Sequence, residues 1–178
     1  DRQVDMILGG QTTAGACTGF WGYSGVGCDS STTQFGIAGL SAAKNYYLNE
    51  GDPGGRLPGI NTALGRAATQ YGLNGRTCSG EPGRGHGYQT NTPPAGNCPS
   101  YQQTASGLWV QLLGGEGLND ADVQDYLEWL QNAYNYQTIY AAYNSWPASY
   151  YYYLWSSSKG YSLIEEPGVA PDPGILSP

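Results

Sequence analysis

The sequence predicts an all-α protein of helical hairpins joined by glycine-rich loops. Apolar residues recur at helical spacing in several segments, whereas strand patterns are weak throughout the 178 residues. The chain also contains an internal repeat, because Gly22-Tyr23 followed by the segment 30–40 is matched by Gly87-Tyr88 followed by the segment 100–108. A sequence repeat of this size corresponds to one supersecondary unit that stacks on the next, so the repeat predicts an array of hairpins.

The first two helices are predicted from apolar spacing and capping residues. Val4, Ile7 and Leu8 keep i, i+3, i+4 spacing before Gly9-Gly10, which predicts the last turns of a helix that begins upstream of Asp1. Asp29, Ser30 and Ser31 offer N-cap oxygens to a second helix over about 32–47. Nearly every face of this second helix carries small or apolar residues, which is typical of an inner helix that is buried on several sides.

The remaining helices are predicted in the same way. A half-exposed outer helix is expected over about 58–71, ending at Gly72, and another helix over about 100–113 after the long glycine- and proline-rich loop 74–99. Asn119 is the predicted N-cap of the most clearly amphipathic helix, and a last helix is expected over about 148–165. The amphipathic helix is predicted from one stripe: Val123, Tyr126, Leu127, Leu130 and Tyr134.

Length and charge limit the class of protein. One domain is expected over 1–166, followed by an extended proline-rich tail over 167–178. The formal net charge is −7 with only 7 Lys and Arg, so nucleic acid is excluded as a partner. No apolar stretch reaches the roughly 20 residues that span a bilayer. The low charge, with many Gly and Tyr, is more common in secreted and surface proteins.

Four cysteines lie in two local pairs, Cys17 with Cys28 and Cys78 with Cys98, each flanking a glycine-rich loop of one repeat. Four cysteines allow three pairings, and the local pairing is favoured because each pair brackets the equivalent loop. A zinc site is the alternative, but the spacings do not match zinc ribbons and the chain has one His. Disulfide-stapled loops imply an oxidising, extracellular compartment.

The repeat motif resembles a known superfamily. Trp21-Gly22-Tyr23, the run from Asp29 to Phe35 and the small-residue helix that follows together resemble one repeat of the prenyltransferase and squalene-cyclase superfamily. Gly87-Tyr88 with 101–108 repeats the pattern, and 150–155 repeats it more loosely. The resemblance implies an α/α toroid, with inner helices lining a barrel and outer helices around them. About two and a half hairpins make only a partial ring, so we expect a fragment or one piece of an assembly.

The catalytic motifs of the superfamily do not carry over. No Asp-x-Asp-Asp motif is present, and Asp120-Ala121-Asp122 is explained by the helix dipole. The run 103–109 matches a Gln-x-x-x-Gly-x-Trp signature but lies within a predicted helix, so packing is the expected role of Trp109. Protein prenyltransferases hold zinc with Asp, Cys and His, but Asp29, Cys28 and His86 do not follow the order of that motif. Thioester proteins share the toroid and carry a Gly-Cys-Gly-Glu-Gln run, which this chain lacks. The sequence predicts no catalytic residue, no metal and no cofactor.

His86 and the aromatic residues are the remaining candidates. His86 lies between two glycines with no nucleophile motif elsewhere, which is typical of a histidine on a flexible loop. Aromatic rings at the loop ends suit either glycan and protein binding or packing between helices. The run 150–153 is too wide for one buried helix face, so one of its rings is expected to point outward. The candidate binding residues are Trp21, Tyr23, His86, Tyr88, Trp146 and Tyr151.

Two functions of different class fit these features. The favoured one is a secreted, non-catalytic toroid-repeat module that binds protein or glycan or builds an extracellular assembly, with a protein partner or a homo-oligomer expected. The alternative is an enzyme on the same scaffold, either terpenoid cyclase-like or polysaccharide-processing. A carboxylate directed into an apolar cavity would favour the enzyme.

Overall fold

The structure, a computed structural model, describes residues 1–25, 27–78, 83–88, 98–133 and 146–165, without the side chains of 146–149. Within these ranges the chain is all-helical and carries only two isolated β-bridges, Trp21 with Asp29 and Arg76 with Gly85, so the predicted all-α class is confirmed. The predicted tail over 167–178 and residue 166 lie outside the described residues. The helices are α1 (Arg2–Gly10), α2 (Ser30–Glu50), α3 (Leu57–Asn74), α4 (Tyr101–Gly114), α5 (Ala121–Ala133) and α6 (Trp146–Ile164).

Helix α4 is the centre of the fold. It packs against α2, α3, α5 and α6, while α1 packs on α2 and α3. Its sequence explains this position, because small residues such as Ala105 and Gly107 let neighbouring helices approach from several sides. None of the described helices is long and apolar enough to cross a membrane.

Two apolar clusters form the core. One lies between α4, α5 and α6 and includes the fully buried Trp129 and Tyr126. The other lies between α1, α2 and α3 and includes Phe20, Ile37 and Tyr71. Each large side chain that is removed from water contributes about 1.5–3 kcal/mol of transfer free energy. Four residues of the stripe predicted for α5 supply the first cluster, since Val123, Tyr126, Leu127 and Leu130 are all buried, and the fifth, Tyr134, lies outside the described residues.

The predicted end of α3 at Gly72 was wrong, because the helix continues to Asn74. Gly72 lies inside the helix, and the carboxylate of Asp122 occupies the space that a Cβ atom would take there. The Arg84 guanidinium also donates to the Gly72 carbonyl oxygen and to the carboxylates of Asp122 and Asp125 on α5. A glycine at this point therefore permits a close contact between α3 and α5.

Two further helices, α5 and α6, begin at residues other than those predicted. Helix α5 begins at Ala121, and the carbonyl oxygen of Asp120 accepts the first helical hydrogen bond from the Gln124 N–H, so Asn119 lies outside the helix. Helix α6 begins at Trp146, two residues earlier than predicted. Pro147 fits there because a proline in the first turn loses no intrahelical hydrogen bond.

Both predicted disulfides are present. Cys17 pairs with Cys28 and Cys78 pairs with Cys98, and no described cysteine is free. The first disulfide closes a loop immediately before α2. The second closes the loop before α4, so each bridge fixes the chain just upstream of one repeat helix.

Candidate functional site

The two copies of the repeat make the same contacts. The Trp21 backbone N–H donates to Thr33 Oγ1 at 2.9 Å, and the His86 backbone N–H donates to Thr104 Oγ1 at 3.0 Å. Trp21 precedes Gly22-Tyr23 as His86 precedes Gly87-Tyr88. Each threonine lies on the first turn of its helix, so it holds the incoming loop against the helix in both copies.

The helix caps are equivalent as well. The Asp29 carboxylate accepts a hydrogen bond from the Thr32 N–H at 2.7 Å, and the Ser100 hydroxyl accepts one from the Gln103 N–H at 3.4 Å. The Asp29 N–H in turn donates to the Trp21 carbonyl oxygen at 3.2 Å. In the second copy the Ser100 N–H donates to the preceding loop in the same way, at 3.1 Å from the His86 carbonyl oxygen. Each cap therefore joins a helix N-terminus to a glycine-rich loop.

Equivalent glycines complete the repeat. A Cβ atom on Gly36 would lie 2.9 Å from Cδ2 of Trp21, and one on Gly107 would lie 2.8 Å from Cε2 of Tyr126. Gly36 and Gly107 hold the same position relative to Thr33 and Thr104 in their helices. In both copies an aromatic ring lies directly against the helix backbone, which only a residue without a side chain allows.

The two repeat loops meet at the N-terminus of α2. The Ser30 N–H donates to the Tyr88 carbonyl oxygen at 3.3 Å, and the Tyr88 hydroxyl donates to the Asp29 carboxylate. The hydrogen bond to Asp29, together with partial burial, raises the pKa of Tyr88 to about 12. The Tyr88 hydroxyl therefore stays protonated at physiological pH and acts as a donor.

A network of hydroxyl and amide groups extends from this point between α2, α4 and α6. Gln34 Nε2 donates to the Tyr152 hydroxyl, and Ser106 Oγ donates to Gln34 Oε1 at 2.9 Å. Ser156 Oγ adds a second donor to Gln34 Oε1 at 3.1 Å. Burial is the main reason that the pKa of Tyr152 lies above its ordinary value.

An exposed aromatic surface borders this network. The Trp155 ring on α6 lies 5.3 Å from the Phe35 ring on α2 and 5.2 Å from the Trp109 ring on α4, centroid to centroid. Phe35 is 55% exposed and Trp155 is 37% exposed, whereas Trp109 is nearly buried, as expected for a packing role. Tyr151 lies one helical turn before Trp155 on the same exposed stripe of α6. We refer to Phe35, Trp109, Tyr151 and Trp155 as the aromatic surface.

The predicted binding residues divide into two groups. Tyr23, Tyr88 and Tyr151 are 81%, 41% and 79% exposed, so these rings are accessible, and Tyr151 confirms that one ring of the run 150–153 points outward. Trp21 is buried, and its indole N–H donates to the Ile7 carbonyl oxygen at 2.7 Å. The side chain of Trp146 lies outside the described residues.

His86 requires a larger correction, because it is fully buried and does not lie on a flexible loop surface. Its ring stacks on Tyr71 with centroids 4.2 Å apart and on Phe20 at 6.1 Å. Nδ1 lies 3.4 Å from the Ser30 hydroxyl, whereas Nε2 has no hydrogen-bond partner among the described residues. Burial lowers the pKa of His86 to about 3, so the imidazole is neutral at physiological pH. His86 packs in the core at the position that Trp21 occupies in the first repeat.

No cluster of three His, Cys, Asp or Glu side chains suitable for a metal ion occurs in the described parts of the chain. Cys28 belongs to a disulfide, and Asp29 already accepts hydrogen bonds from Thr32 and Tyr88. Cys28 and Asp29 therefore already have covalent and hydrogen-bond partners within the protein.

The aromatic surface was missed from the sequence as a site. Phe35 and Trp155 come from α2 and α6, which are distant in the chain, so no local motif joins them. A signal was present on α6 alone, because Tyr151, Leu154, Trp155 and Ser158 follow i, i+3, i+4, i+7 spacing, and all four are exposed.

Comparison with family models, curated proteins and solved structures finds no match to this chain. The site is therefore interpreted from its own geometry.

Proposed function

We propose that this protein is a secreted, non-catalytic repeat module of the prenyltransferase and squalene-cyclase type, which binds a glycan or a protein through its exposed aromatic residues. In this proposal α2, α4 and α6 form part of the inner wall of an α/α toroid, and α1, α3 and α5 form part of the outer wall. The observation that carries the binding function is the contact of Trp155 with Phe35, which places exposed rings from α6 and α2 side by side, with the nearly buried Trp109 of α4 against Trp155.

The helix contacts support the toroid arrangement. Helix α4 packs on α2 and on α6, each from a neighbouring repeat, and α3 packs between α2 and α4. Alternate helices of the chain are thus neighbours, which is how inner helices follow one another in stacked hairpins. The shared threonine, cap and glycine contacts of the two repeats support the same arrangement.

The chemistry of the polar network supports binding over catalysis. Asp29 is the carboxylate of this network, and it serves as the N-cap of α2 while it accepts the Tyr88 hydroxyl. A general acid must reach its substrate with a free carboxyl oxygen, whereas both oxygens of Asp29 already accept hydrogen bonds, from Thr32 and from Tyr88. Ser106 and Ser156 are fully buried and bond to Gln34, so a partner would meet the exposed rings and the accessible Tyr88 rather than these hydroxyls.

The two disulfides support an extracellular location. Both bridges lie in glycine-rich loops, and stable disulfides of this kind persist in oxidising compartments. The bridges hold the loops that carry Tyr23 and Tyr88 at the ends of the repeat helices. A rigid presentation of these rings lowers the entropy lost when a partner binds.

The test of the proposed function has a binding arm and a turnover arm. Purified oxidised protein is titrated with neutral oligosaccharides and measured by light scattering for self-association, and the same preparation is incubated with polysaccharides and with an isoprenoid substrate. We expect binding or self-association without chemical change. Turnover of either substrate class would refute the proposal in favour of an enzyme.

A further inference from the structure

We propose that the segment 83–88 is an acid-sensitive switch, which stays bound at the N-termini of α2 and α4 near neutral pH and detaches in acid while the helices remain packed. This inference goes beyond the proposed function, because it concerns a change of conformation and requires no ligand. Three side chains attach the segment to the helices, and protonation weakens all three attachments: Arg84, His86 and Tyr88.

The middle attachment is the buried His86 ring, which lies in a pocket without room for a charge. Tyr71 and Phe20 stack with the ring, and Tyr126 lies edge-on to it at 6.2 Å. Nδ1 lies 3.4 Å from the Ser30 hydroxyl, whereas Nε2 has no hydrogen-bond partner among the described residues. An imidazolium carries an N–H at both nitrogens, so protonation in the bound segment would bury a charge and an N–H without an acceptor.

The other ionisable groups that face His86 offer no compensating negative charge. Burial raises the pKa values of Tyr71 on α3 and Tyr126 on α5, so their hydroxyls are neutral. Arg76, which follows α3, carries a positive charge that opposes protonation of the ring. Helices α2 and α4 present uncharged hydroxyl groups there. The neutral imidazole therefore fits this pocket, whereas the imidazolium does not.

The two outer attachments depend on carboxylates. The Arg84 guanidinium donates to the carboxylates of Asp122 and Asp125 on α5 at 2.9 Å each. The Tyr88 hydroxyl donates to the carboxylate of Asp29 at the start of α2. A carboxyl group that takes up a proton loses its charge, so it pairs less strongly with either donor. Acid therefore weakens all three attachments in the same direction.

The segment can detach without unfolding the helices. Among the described residues, neither apolar cluster draws a member from the segment 83–88, and α4 packs directly on α2, α3, α5 and α6. The Cys78–Cys98 disulfide encloses the segment, so it stays joined to the fold and can rebind when the pH rises. Detachment would uncover the aromatic rings that pack on His86. Openings of this kind, smaller than global unfolding, occur in native proteins.

The experiment is amide hydrogen exchange of the oxidised protein at pH 7 and pH 5, corrected for the intrinsic pH dependence of exchange. The Gly85 N–H donates to the Arg76 carbonyl oxygen at 2.8 Å, so its protection reports the bound segment. Val110 within α4 reports the helices. Because no ligand is added, the outcome is independent of the proposed function.

The expected change follows from His86. Because its pKa is about 3 in the bound segment and about 6.5 when the ring is exposed, the detached form takes up the proton between pH 7 and 5. We expect the protection of Gly85 to fall about 25-fold, and to stay at least about tenfold below that of Val110 at both pH values. Equal protection of Gly85 and Val110, or protection of Gly85 that does not change with pH, would overturn the inference.

Substitutions test the attachments separately. His86→Gln is expected to lose most of the pH dependence of Gly85 protection, because glutamine does not titrate. Tyr88→Phe is expected to lower this protection about fivefold at pH 7, since it loses the hydrogen bond to Asp29. Tyr23→Phe is the matched control, because Tyr23 holds the equivalent position in the first repeat and is 81% exposed.

Tyr88→Phe keeps the test valid if His86→Gln does not fold, and circular dichroism reports the helical content of each variant. Equal Gly85 protection in Tyr88→Phe and Tyr23→Phe would contradict the switch, as would a full pH dependence in a folded His86→Gln protein.

Discussion

The His86 ring lies face to face with the Tyr71 ring, with the centroids 4.2 Å apart and the planes inclined by 15°. His86 is closed off from solvent, and Phe20 and Tyr126 cover other parts of its ring. The groups around it include the Ser30 hydroxyl and the Gly87 backbone, and the charge of Arg76 further disfavours protonation. The fold therefore holds this histidine in its neutral form.

We expect the free energy of unfolding to fall as the pH is lowered from 7 to 5. Because the pKa of His86 is about 3 in the folded protein and about 6.5 in the unfolded chain, the unfolded state binds the extra proton in this range. The expected loss between pH 7 and pH 5 is about 2 kcal/mol. Urea titration at each pH measures it.

His86→Gln is the control for this prediction, since glutamine does not titrate. The variant is expected to lose the fall in the free energy of unfolding between pH 7 and 5, whatever its absolute stability. Burial raises the pKa of Glu116, which acts in the opposite direction and equally in both proteins. Asp5 and Asp52 have pKa values below the ordinary aspartate value. Their contributions to the free energy of unfolding are therefore lost only at pH values below this range. An equal slope in His86→Gln and the parent protein would disprove the role of His86.

Gly36→Ala and Gly107→Ala are expected to destabilise the fold by about 1–3 kcal/mol each. The added methyl group would lie within 3 Å of the Trp21 ring in one case and the Tyr126 ring in the other. Thermal and urea unfolding measure the change. Gly65→Ala in α3 is the matched control, because nothing lies within 4 Å of its Cβ position and a helical alanine is favoured by about 0.5–1 kcal/mol. A stabilised Gly36→Ala would contradict the close ring contact.

Thr33→Val and Thr104→Val are expected to cost about 1–3 kcal/mol each, since each leaves a buried backbone N–H without its acceptor. Valine matches threonine in shape, so lost packing contributes little. Thr62→Val is the control, because the Thr62 hydroxyl is exposed and donates only to the Pro58 carbonyl oxygen. The repeat contacts would not be equivalent if only one of the two core variants lost stability in urea titration.

Removal of either disulfide is expected to lower the free energy of unfolding by about 3 kcal/mol. The two double variants are Cys17→Ser with Cys28→Ser, and Cys78→Ser with Cys98→Ser. Urea unfolding with and without a reducing agent measures the effect, and each double variant should respond to reductant about half as strongly as the parent protein. Unchanged unfolding of the reduced parent protein would show that the bridges do not stabilise the fold.

Much of the fold could be predicted from the sequence, because helical periodicity and capping residues are local signals. The stripe of α5 and the Asp29 cap of α2 are examples. The end of α3 could not be predicted in this way, since Gly72 acts through contacts with Arg84 and Asp122 that are distant in sequence. Local signals determine where helices form, and tertiary contacts shift where they end.

The candidate site was less predictable for the same reason. Tyr23, Tyr88 and Tyr151 were found because they flank recognisable motifs, whereas Phe35 and Trp155 meet only after α2 and α6 pack with α4. His86 was misplaced because two glycines beside it suggest a mobile loop. The structural equivalence of His86 and Trp21, which follows from their shared contacts with a threonine, corrects that placement.

The repeat contacts tolerate a difference in loop length. Five residues separate Tyr23 from the Asp29 cap, and eleven separate Tyr88 from the Ser100 cap, yet both threonines bind their loops alike. Most of the extra residues lie between Tyr88 and Cys98, so the second copy accommodates them with its disulfide and its Thr104 contact in place. Because the entropy of loop closure grows slowly with length, a further insertion between Tyr88 and Cys98 is expected to cost little stability while the bridge and the threonine contact stay intact.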